Sequence, residues 1–105
     1  MTKFVFAYHG GSGMPESEAE VATIMAAWGE WFGGLGDAVI DGGAPIGNAC
    51  TVAPDGSASQ GGGANPITGY SVIEAADLDA ATEIARGCPT LANGGSVEVA
   101  ETIDM

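Results

Sequence analysis

The stretch GYSVIEAADLDAATEIARGCP, residues 69–89, decides the fold, because a strand pattern passes there directly into a helix pattern. Residues 67–74 have the composition of a strand, with Tyr70 and Val72 on one face and Ile73 on the other. Over residues 77–88 the apolar positions recur with the 3.6-residue period of an amphipathic helix, with Asp77 as its N-cap. Pro89 ends that helix, because proline disfavours helical backbone in the residue before it.

The chain on either side of this stretch supplies the other long elements. Residues 96–103 predict the last strand. Residues 3–8 predict an aromatic first strand that is apolar on both faces and therefore central in its sheet. Residues 15–35 keep a helical rhythm and predict a long helix. Its start stays open by about two residues, since Ser17 and Glu20 also fit a capping box.

The region between the first helix and the next long strand is rich in glycine and gives weaker signals. Residues 38–41 predict a short strand, residues 42–45 a bend, and residues 46–52 a continuation of the strand. The sequence Pro-Asp-Gly at residues 54–56 is a turn signal. Residues 57–65 are polar and glycine-rich, and we interpret them as a hairpin arm or a mobile loop.

The order of these elements is the βαββαβ pattern of a ferredoxin-like α+β fold, in one domain spanning residues 1–105. Such a fold has one antiparallel sheet with two helices on one face. The other face stays bare, although the first strand is apolar toward it, and a large exposed apolar face is uncommon on a soluble monomer. We therefore expect a homodimer in which a second copy packs sheet to sheet about a two-fold axis.

Charge and composition narrow the classes of partner. The chain has 105 residues, with 14 acidic and 2 basic side chains and a net charge of −12. Lys3 and Arg86 are too few to neutralise phosphates, so neither nucleic acid nor an anionic membrane is an expected partner. No apolar run approaches the roughly 18 residues of a membrane span. Residues 1–8 lack the pattern of a secretion signal, so we expect a cytoplasmic protein in which Cys50 and Cys88 are reduced, buried thiols.

Several segments, mainly in the second half, resemble the YCII-related family, which includes the DGPF-domain proteins. They are GYSVIEAADLDAA at residues 69–81, Cys-Pro at residues 88–89, GGSVEV at residues 94–99 and, in outline, GGAP at residues 42–45. The resemblance implies a ferredoxin-like fold assembled as a dimeric α/β barrel. Members of the family are mostly uncharacterised. Some are proposed enzymes with a histidine on the first helix paired with an aspartate, and others are associated with extracytoplasmic-function sigma factors.

Two features of that family are missing from this sequence. The first helix carries no histidine, and Trp28 lies near the position where the family has one. The Asp-Gly-Pro-Phe tetrapeptide is absent, and its region reads QGGGANP at residues 60–66. Neither the histidine–aspartate pair nor the tetrapeptide can therefore be transferred to this chain.

His9 is the single histidine and the first candidate for chemistry. It follows a central strand and precedes a glycine-rich loop, a common place for a functional group. We interpret it either as a general base or ligand-binding group at the rim of a cleft, or as a hydrogen-bonded histidine at a strand end. Asp41 ends a short strand before two glycines. It is the candidate catalytic partner of His9, or else a turn residue that binds backbone amides.

Four aromatic residues form the candidate ligand-binding set. Trp28 and Trp31 stand at helical spacing, and they either belong to the core or line a pocket between helix and sheet. The polar tips of Tyr8 and Tyr70 can reach such a pocket. The sequence contains neither a Cys-x-x-Cys motif nor a pair of histidines, so neither a metal site nor a cofactor is predicted.

Two functions remain open at this point. The first is binding of a small molecule in a helix–sheet pocket of a homodimer, with weak or unknown catalytic activity. The second is a non-catalytic dimeric module that acts through a protein partner, for example one associated with a sigma factor. A polar cluster around His9 in a concave pocket favours the first function, and a His9 that is buried without a cavity favours the second.

Overall fold

The computed structural model describes residues 2–10, 17–92 and 94–103. Its elements alternate as the sequence predicts, with a two-stranded insertion before the third long strand. They are β1 (Thr2–Gly10), α1 (Glu18–Leu35), β2 (Val39–Pro45), β3 (Cys50–Val52), β4 (Ala58–Gln60), β5 (Ile67–Ala75), α2 (Leu78–Ala85), α3 (Pro89–Ala92) and β6 (Gly95–Glu101). The fold class is therefore α+β.

The main sheet has the strand order β2-β5-β1-β6, and all neighbouring strands are antiparallel. The pair β1 and β2, joined by α1, encloses β5, and the pair β5 and β6, joined through α2 and α3, encloses β1. Two interleaved βαβ units of this kind make up the ferredoxin-like arrangement, which confirms the prediction from element order. The strands β3 and β4 form a separate two-stranded sheet.

The core lies between this sheet and the helices. Strand side chains alternate between faces, so every second residue of β1 and β5 points to the helices. The buried hydrophobic residues are Phe4, Phe6, Tyr8, Ile73, Ala75, Ala81, Ala85 and Cys88. Helix α1 adds Trp28, Trp31 and Leu35, which are partly buried. No residue of α1, which the structure describes along its whole length, is fully buried, so this helix contacts the core only by one edge.

Side-chain caps set the starts of the two long helices. The hydroxyl of Ser17 accepts a 3.1 Å hydrogen bond from the backbone N–H of Glu20, which supports the later of the two predicted starts of α1. The earlier start, at residue 15, lies outside the described residues. A carboxylate oxygen of Asp77 accepts in the same way from the N–H of Ala80, at 2.8 Å. This confirms Asp77 as the N-cap of α2.

The end of the second helix differs from the prediction. Helix α2 stops at Ala85 rather than at residue 88, and Pro89 opens the short helix α3. Proline is well suited to the first helical position, where its missing N–H has no helical partner to lose. The proline thus both ends one helix pattern and begins another.

Strand β2 is longer than predicted, and its pairing with β5 is irregular at two points. Gly43 permits one of these irregularities. Its φ is +74°, and a Cβ at this position would collide with the carbonyl oxygen of Tyr70. A bulged strand and a bend share the same glycine signature, which explains why the sequence predicts a bend over residues 42–45.

Residues 50–60 form a hairpin, here called the arm. Strand β3 pairs with β4, so residues 57–65 contribute to a hairpin and not only to a loop. The predicted continuous strand over residues 46–52 is wrong, since only its last three residues are in β3. The arm lies outside the main sheet, and Cys50 is therefore exposed, whereas Cys88 is buried as expected.

The face of the main sheet opposite the helices is here called the open face. Glu98, opposite Ala7, brings a carboxylate to this face. The apolar and aromatic side chains of the face come from three neighbouring strands. They are Val5, Ala7, Tyr70, Val72 and Ala100. Lys3 lies opposite Glu74 at one end of this face. In the part of the chain that the structure describes, no helix is both long and apolar enough to cross a membrane.

Candidate functional site

His9 lies near the end of β1 on the open face, and only 8% of its side chain is exposed. Its Nδ1 is 3.0 Å from the carbonyl oxygen of Asn65 and 3.2 Å from that of Pro66. Its Nε2 is 3.0 Å from a carboxylate oxygen of Glu98 on β6. The ring therefore joins three segments of chain that are far apart in the sequence.

All the groups that face the ring nitrogens of His9 are hydrogen-bond acceptors. Both ring nitrogens therefore already have partners within the protein. A general base needs a ring nitrogen that is free to face the substrate, and this arrangement leaves none. These are the contacts of a hydrogen-bonded histidine at a strand end, where it fastens the Asn65–Pro66 backbone to the sheet.

Asp41 lies on β2, and its side chain turns back to its own backbone. One carboxylate oxygen accepts a 2.8 Å hydrogen bond from the N–H of Gly43. Asp41 stands opposite Val72, two strands and about four residues away from His9. From strand spacings alone this is roughly 16 Å. The structure therefore does not bring the two candidate catalytic residues together.

The candidate ligand-binding residues divide between the two faces of the sheet. Tyr8 contacts Trp28 on the helix side, with ring centroids 5.0 Å apart, and Trp28 contacts Trp31 at 5.7 Å. The indole N–H of Trp31 donates a 3.3 Å hydrogen bond to the carbonyl of Ile84. Tyr70 instead belongs to the open face, as His9 does. The sheet thus separates a helix-side aromatic cluster from the remaining candidates.

A chain of hydroxyl groups crosses the buried side of the sheet. The hydroxyl of Tyr8 donates to Ser71 Oγ at 2.8 Å, and Ser71 donates to the carbonyl oxygen of Gly42 at 2.8 Å. Burial raises the pKa of Tyr8 to about 12, so the phenol stays neutral at physiological pH. Sequence reasoning missed Ser71, although a serine at a core-facing position of an apolar strand is a signal for such a partner.

A groove of about 680 Å³ opens on the helix side of the molecule. Its walls come from one face of α1 and from residues 86–92, which comprise the connection after α2 and α3 itself and are here called the α2–α3 segment. The lining residues are Thr23, Ile24, Ala27, Glu30, Trp31, Arg86, Gly87, Cys88, Pro89, Leu91 and Ala92. Of the four candidate ligand-binding residues, Trp31 alone lines this groove, and His9 and Asp41 do not.

The groove combines an apolar wall with two charged lining residues, Glu30 and Arg86. Burial raises the pKa of the Cys88 thiol, which therefore stays protonated and behaves as an apolar group. Arg86 is largely exposed, and its Nε lies 3.0 Å from a carboxylate oxygen of Glu83. The sequence places Cys88 on an apolar stripe and predicts a pocket between helix and sheet. It does not predict this groove between helices, because the break between α2 and α3 has no separate signal.

A metal centre finds no support in residues 2–10, 17–92 and 94–103. In these ranges no three histidine, cysteine, aspartate or glutamate side chains lie close enough to bind one ion. Among the described residues, Glu98 is the one side chain hydrogen-bonded to His9, and the other partners of the ring are backbone carbonyl groups.

Comparison with known proteins identifies the family. No curated protein matches the chain. The family model described as the YCII-related domain matches residues 11–105, which is all but the first ten residues. The match covers the first helix, the arm and the whole second half, and it agrees with the motifs at residues 69–81 and 94–99. The chain therefore belongs to the YCII-related family.

Proposed function

We propose that this chain is a homodimeric binding protein that takes a small, largely apolar molecule into the groove between α1 and the α2–α3 segment. The observation that carries the proposal is the groove itself, with its volume of about 680 Å³. Small-molecule sites typically have volumes of about 300–1,000 Å³, with apolar and aromatic walls and a few polar groups. His9 has a structural role in this proposal.

The lining residues indicate the kind of molecule that fits. Ile24, Ala27 and Leu91 offer aliphatic surface, and Trp31 offers a partly buried ring. The protonated thiol of Cys88 adds to this apolar wall. Arg86 can meet a polar or anionic substituent at the edge, in a chain whose only other basic side chain is Lys3. An apolar molecule with one small polar group is the class that matches this arrangement.

The homodimer rests on the open face. Val5, Ala7 and Val72 are half-buried there, and Ala100 is exposed, although no described helix covers them. A second copy placed on this face removes apolar surface from water on both partners, and a standard interface needs about 800 Å² from each. Association through this face leaves the groove accessible, because the groove lies on the opposite side of the sheet. The two free cysteines agree with the cytoplasmic location that accompanies this proposal.

A fluorescent probe and two variants that replace an alanine with tryptophan test the binding proposal. N-phenyl-1-naphthylamine is neutral and apolar, and it brightens when it leaves water. We expect saturable binding to the wild type, loss of binding in Ala27→Trp, which fills the groove, and wild-type binding in Ala26→Trp. Ala26 is the matched control, because it is exposed on the same helix and does not line the groove. A wild type that does not bind the probe, or equal binding by all three proteins, would contradict the proposal.

Two observations favour one alternative, a dimeric module that binds a basic protein partner. His9 is buried and does not line the groove, and the net charge is −12. Such binding weakens as salt rises from about 0.05 to 0.5 M, because exposed charges are screened. Binding of an apolar probe in the groove changes little over the same range. Titration of a lysine-rich peptide into the wild type and Ala27→Trp, at both salt concentrations, separates the two functions. Salt-sensitive binding that is equal in both proteins supports the alternative.

A further inference from the structure

We infer that the arm is an intermolecular clasp whose apolar face packs against a second copy of this chain. The inference rests on the homodimer of the proposed function and adds a second contact to it, beyond the open face. Residues 50–60 neither line the groove nor belong to the core, and the clasp gives them a role.

The arm has two different faces. Val52 pairs with Ala58, Thr51 with Ser59, and Cys50 with Gln60. Residues directly opposite each other in an antiparallel pair share a face, and successive residues alternate. One face therefore carries Cys50, Val52 and Ala58 beside Gln60, and the other carries the hydroxyl groups of Thr51 and Ser59. The apolar face is open to water, since Val52 is 65% exposed.

Apart from the pairing of β3 with β4, the hydrogen bonds of the arm among the described residues lie at its base and its tip. At the base, the N–H of Gly61 donates to the carbonyl of Ala49, and the hydroxyl of Thr51 donates to the carbonyl of Gly61. At the tip, Asp55 accepts from the backbone and the hydroxyl of Ser57. All six residues of β3 and β4 are exposed. An isolated two-stranded hairpin is at best marginally stable in water, so this one gains most from a surface that covers its apolar face.

Charge is depleted in the arm and its surroundings. Residues 42–73 contain one charged side chain, Asp55 at the tip of the hairpin, whereas the chain as a whole has 16 among 105 residues. Loss of charged residues is the composition that distinguishes the centre of an interface from other surface. Two copies that each carry −12 repel over most of their surfaces. Residues 42–73, with their single charge, are where the copies can approach, and the two-fold symmetry of a homodimer brings the same segment from both copies.

The surface area of the chain points to a large partner. A compact monomer of 10.4 kDa exposes about 5,400 Å², whereas this chain exposes 6976 Å². The radius of gyration is 15.0 Å, against about 13 Å for a compact domain of this length. The excess of about 1,600 Å² is twice what one partner contributes to a standard interface. A second copy that covers both the open face and the arm is of the size that this excess calls for.

Two variants on opposite faces of the arm test the clasp. Val52→Asp places a charge on the apolar face, and Ser59→Asp places the same charge on the hydroxyl face, so the net charge is matched. Ala100→Asp places it on the open face. Sedimentation equilibrium gives the dimer dissociation constant of each protein, and circular dichroism establishes that each one folds. We expect Val52→Asp and Ala100→Asp to weaken the dimer by about tenfold or more and Ser59→Asp by less than about threefold.

The results distinguish failure of the clasp from failure of the dimer. If Ala100→Asp weakens the dimer but Val52→Asp has no greater effect than Ser59→Asp, the clasp is wrong and the homodimer stands. If the wild type sediments as a monomer, the proposed homodimer fails and takes the clasp with it.

A second test uses only the wild type, so its outcome does not depend on whether a variant folds. Cys50 lies on the apolar face of the arm, so its alkylation by iodoacetamide reports whether that face is covered. We expect alkylation to be about tenfold slower at protein concentrations where the dimer predominates than at concentrations where the monomer does. Equal rates at both concentrations would overturn the clasp.

Discussion

Tyr8 and Ser71, 63 positions apart in the sequence, join their hydroxyl groups by a 2.8 Å hydrogen bond inside the core. Tyr8 donates to Ser71, and Ser71 donates onward to the backbone of Gly42. Strands β1, β5 and β2 are thereby linked through side chains as well as through their backbones. The phenol is 5% exposed, and burial raises the pKa of Tyr8 to about 12.

The raised pKa of Tyr8 predicts a loss of stability at alkaline pH. The unfolded chain releases this proton near pH 10, whereas the folded chain holds it to about pH 12. The free energy of unfolding is therefore unaffected by this group below pH 10. It falls by up to roughly 3 kcal/mol as pH rises from 10 toward 12, because only the unfolded chain has released the proton. Urea denaturation of the wild type and Tyr8→Phe between pH 8 and pH 12 measures it.

The comparison with Tyr8→Phe isolates this effect, because all other ionisable groups are common to both proteins. At neutral pH the variant loses one hydrogen bond donor to Ser71 and is expected to be less stable by about 0.5–1.5 kcal/mol. That difference should shrink or reverse as pH rises. Parallel pH profiles for the two proteins would show that Tyr8 releases its proton at the same pH in the folded and the unfolded chain.

Gly43 is expected to be intolerant of any side chain. Its positive φ and the approach of the Tyr70 carbonyl oxygen both oppose a Cβ, so Gly43→Ala should cost at least roughly 2 kcal/mol of unfolding free energy. Gly42→Ala is the matched control, because a Cβ there meets no atom within 4 Å. The control should stay within about 1 kcal/mol of the wild type. Equal effects of the two variants in urea denaturation would mean that the bulge can relax.

The order of the main elements could be predicted because each has a strong local signal. Residues 69–89 carry a strand period, a cap and a helix period in succession, and the structure places β5, Asp77 and α2 there. The break between α2 and α3 was missed, since the proline that starts α3 also reads as the end of α2. The path of β2 was missed because glycine has the same signature in a bulge and in a bend.

The candidate site was harder to predict, because it depends on which face of the sheet each residue takes relative to distant segments. Alternation alone puts Tyr8 and His9 on opposite faces, and this separates His9 from the tryptophans of α1. The carbonyl groups of Asn65 and Pro66 that bind His9 come from the segment between the arm and β5, and the sequence of that segment does not indicate such a contact. The groove depends on the gap between α1 and α3, a tertiary feature.

His9 is expected to act on stability and not on binding in the groove. His9→Asn cannot satisfy the carbonyl groups of the Asn65–Pro66 segment and Glu98 together, so it should cost roughly 1–3 kcal/mol of unfolding free energy. Affinity for N-phenyl-1-naphthylamine should stay as in the wild type. Hydrogen exchange at residues 62–65 should become faster, because the ring no longer fastens this segment to β1.

Glu98→Gln is the control for the charge of the pair. Glu98 is 66% exposed, so the loss of its charge should cost less than about 1 kcal/mol. If His9→Asn keeps wild-type stability but loses probe binding, His9 belongs to a binding site and its structural role is wrong.

Salt is expected to strengthen the homodimer. Each copy carries a net charge of −12, so association brings together two strongly acidic chains whose repulsion opposes apolar contact. Raising NaCl from about 0.05 to 0.5 M shortens the Debye length from about 14 to 4 Å and screens this repulsion, while burial of the open face is little affected. The dissociation constant from sedimentation equilibrium should fall by about threefold or more. A dimer that weakens with salt would instead depend on ion pairs across the interface, for which Lys3 and Arg86 are the two available basic side chains, and would contradict association driven mainly by apolar contact.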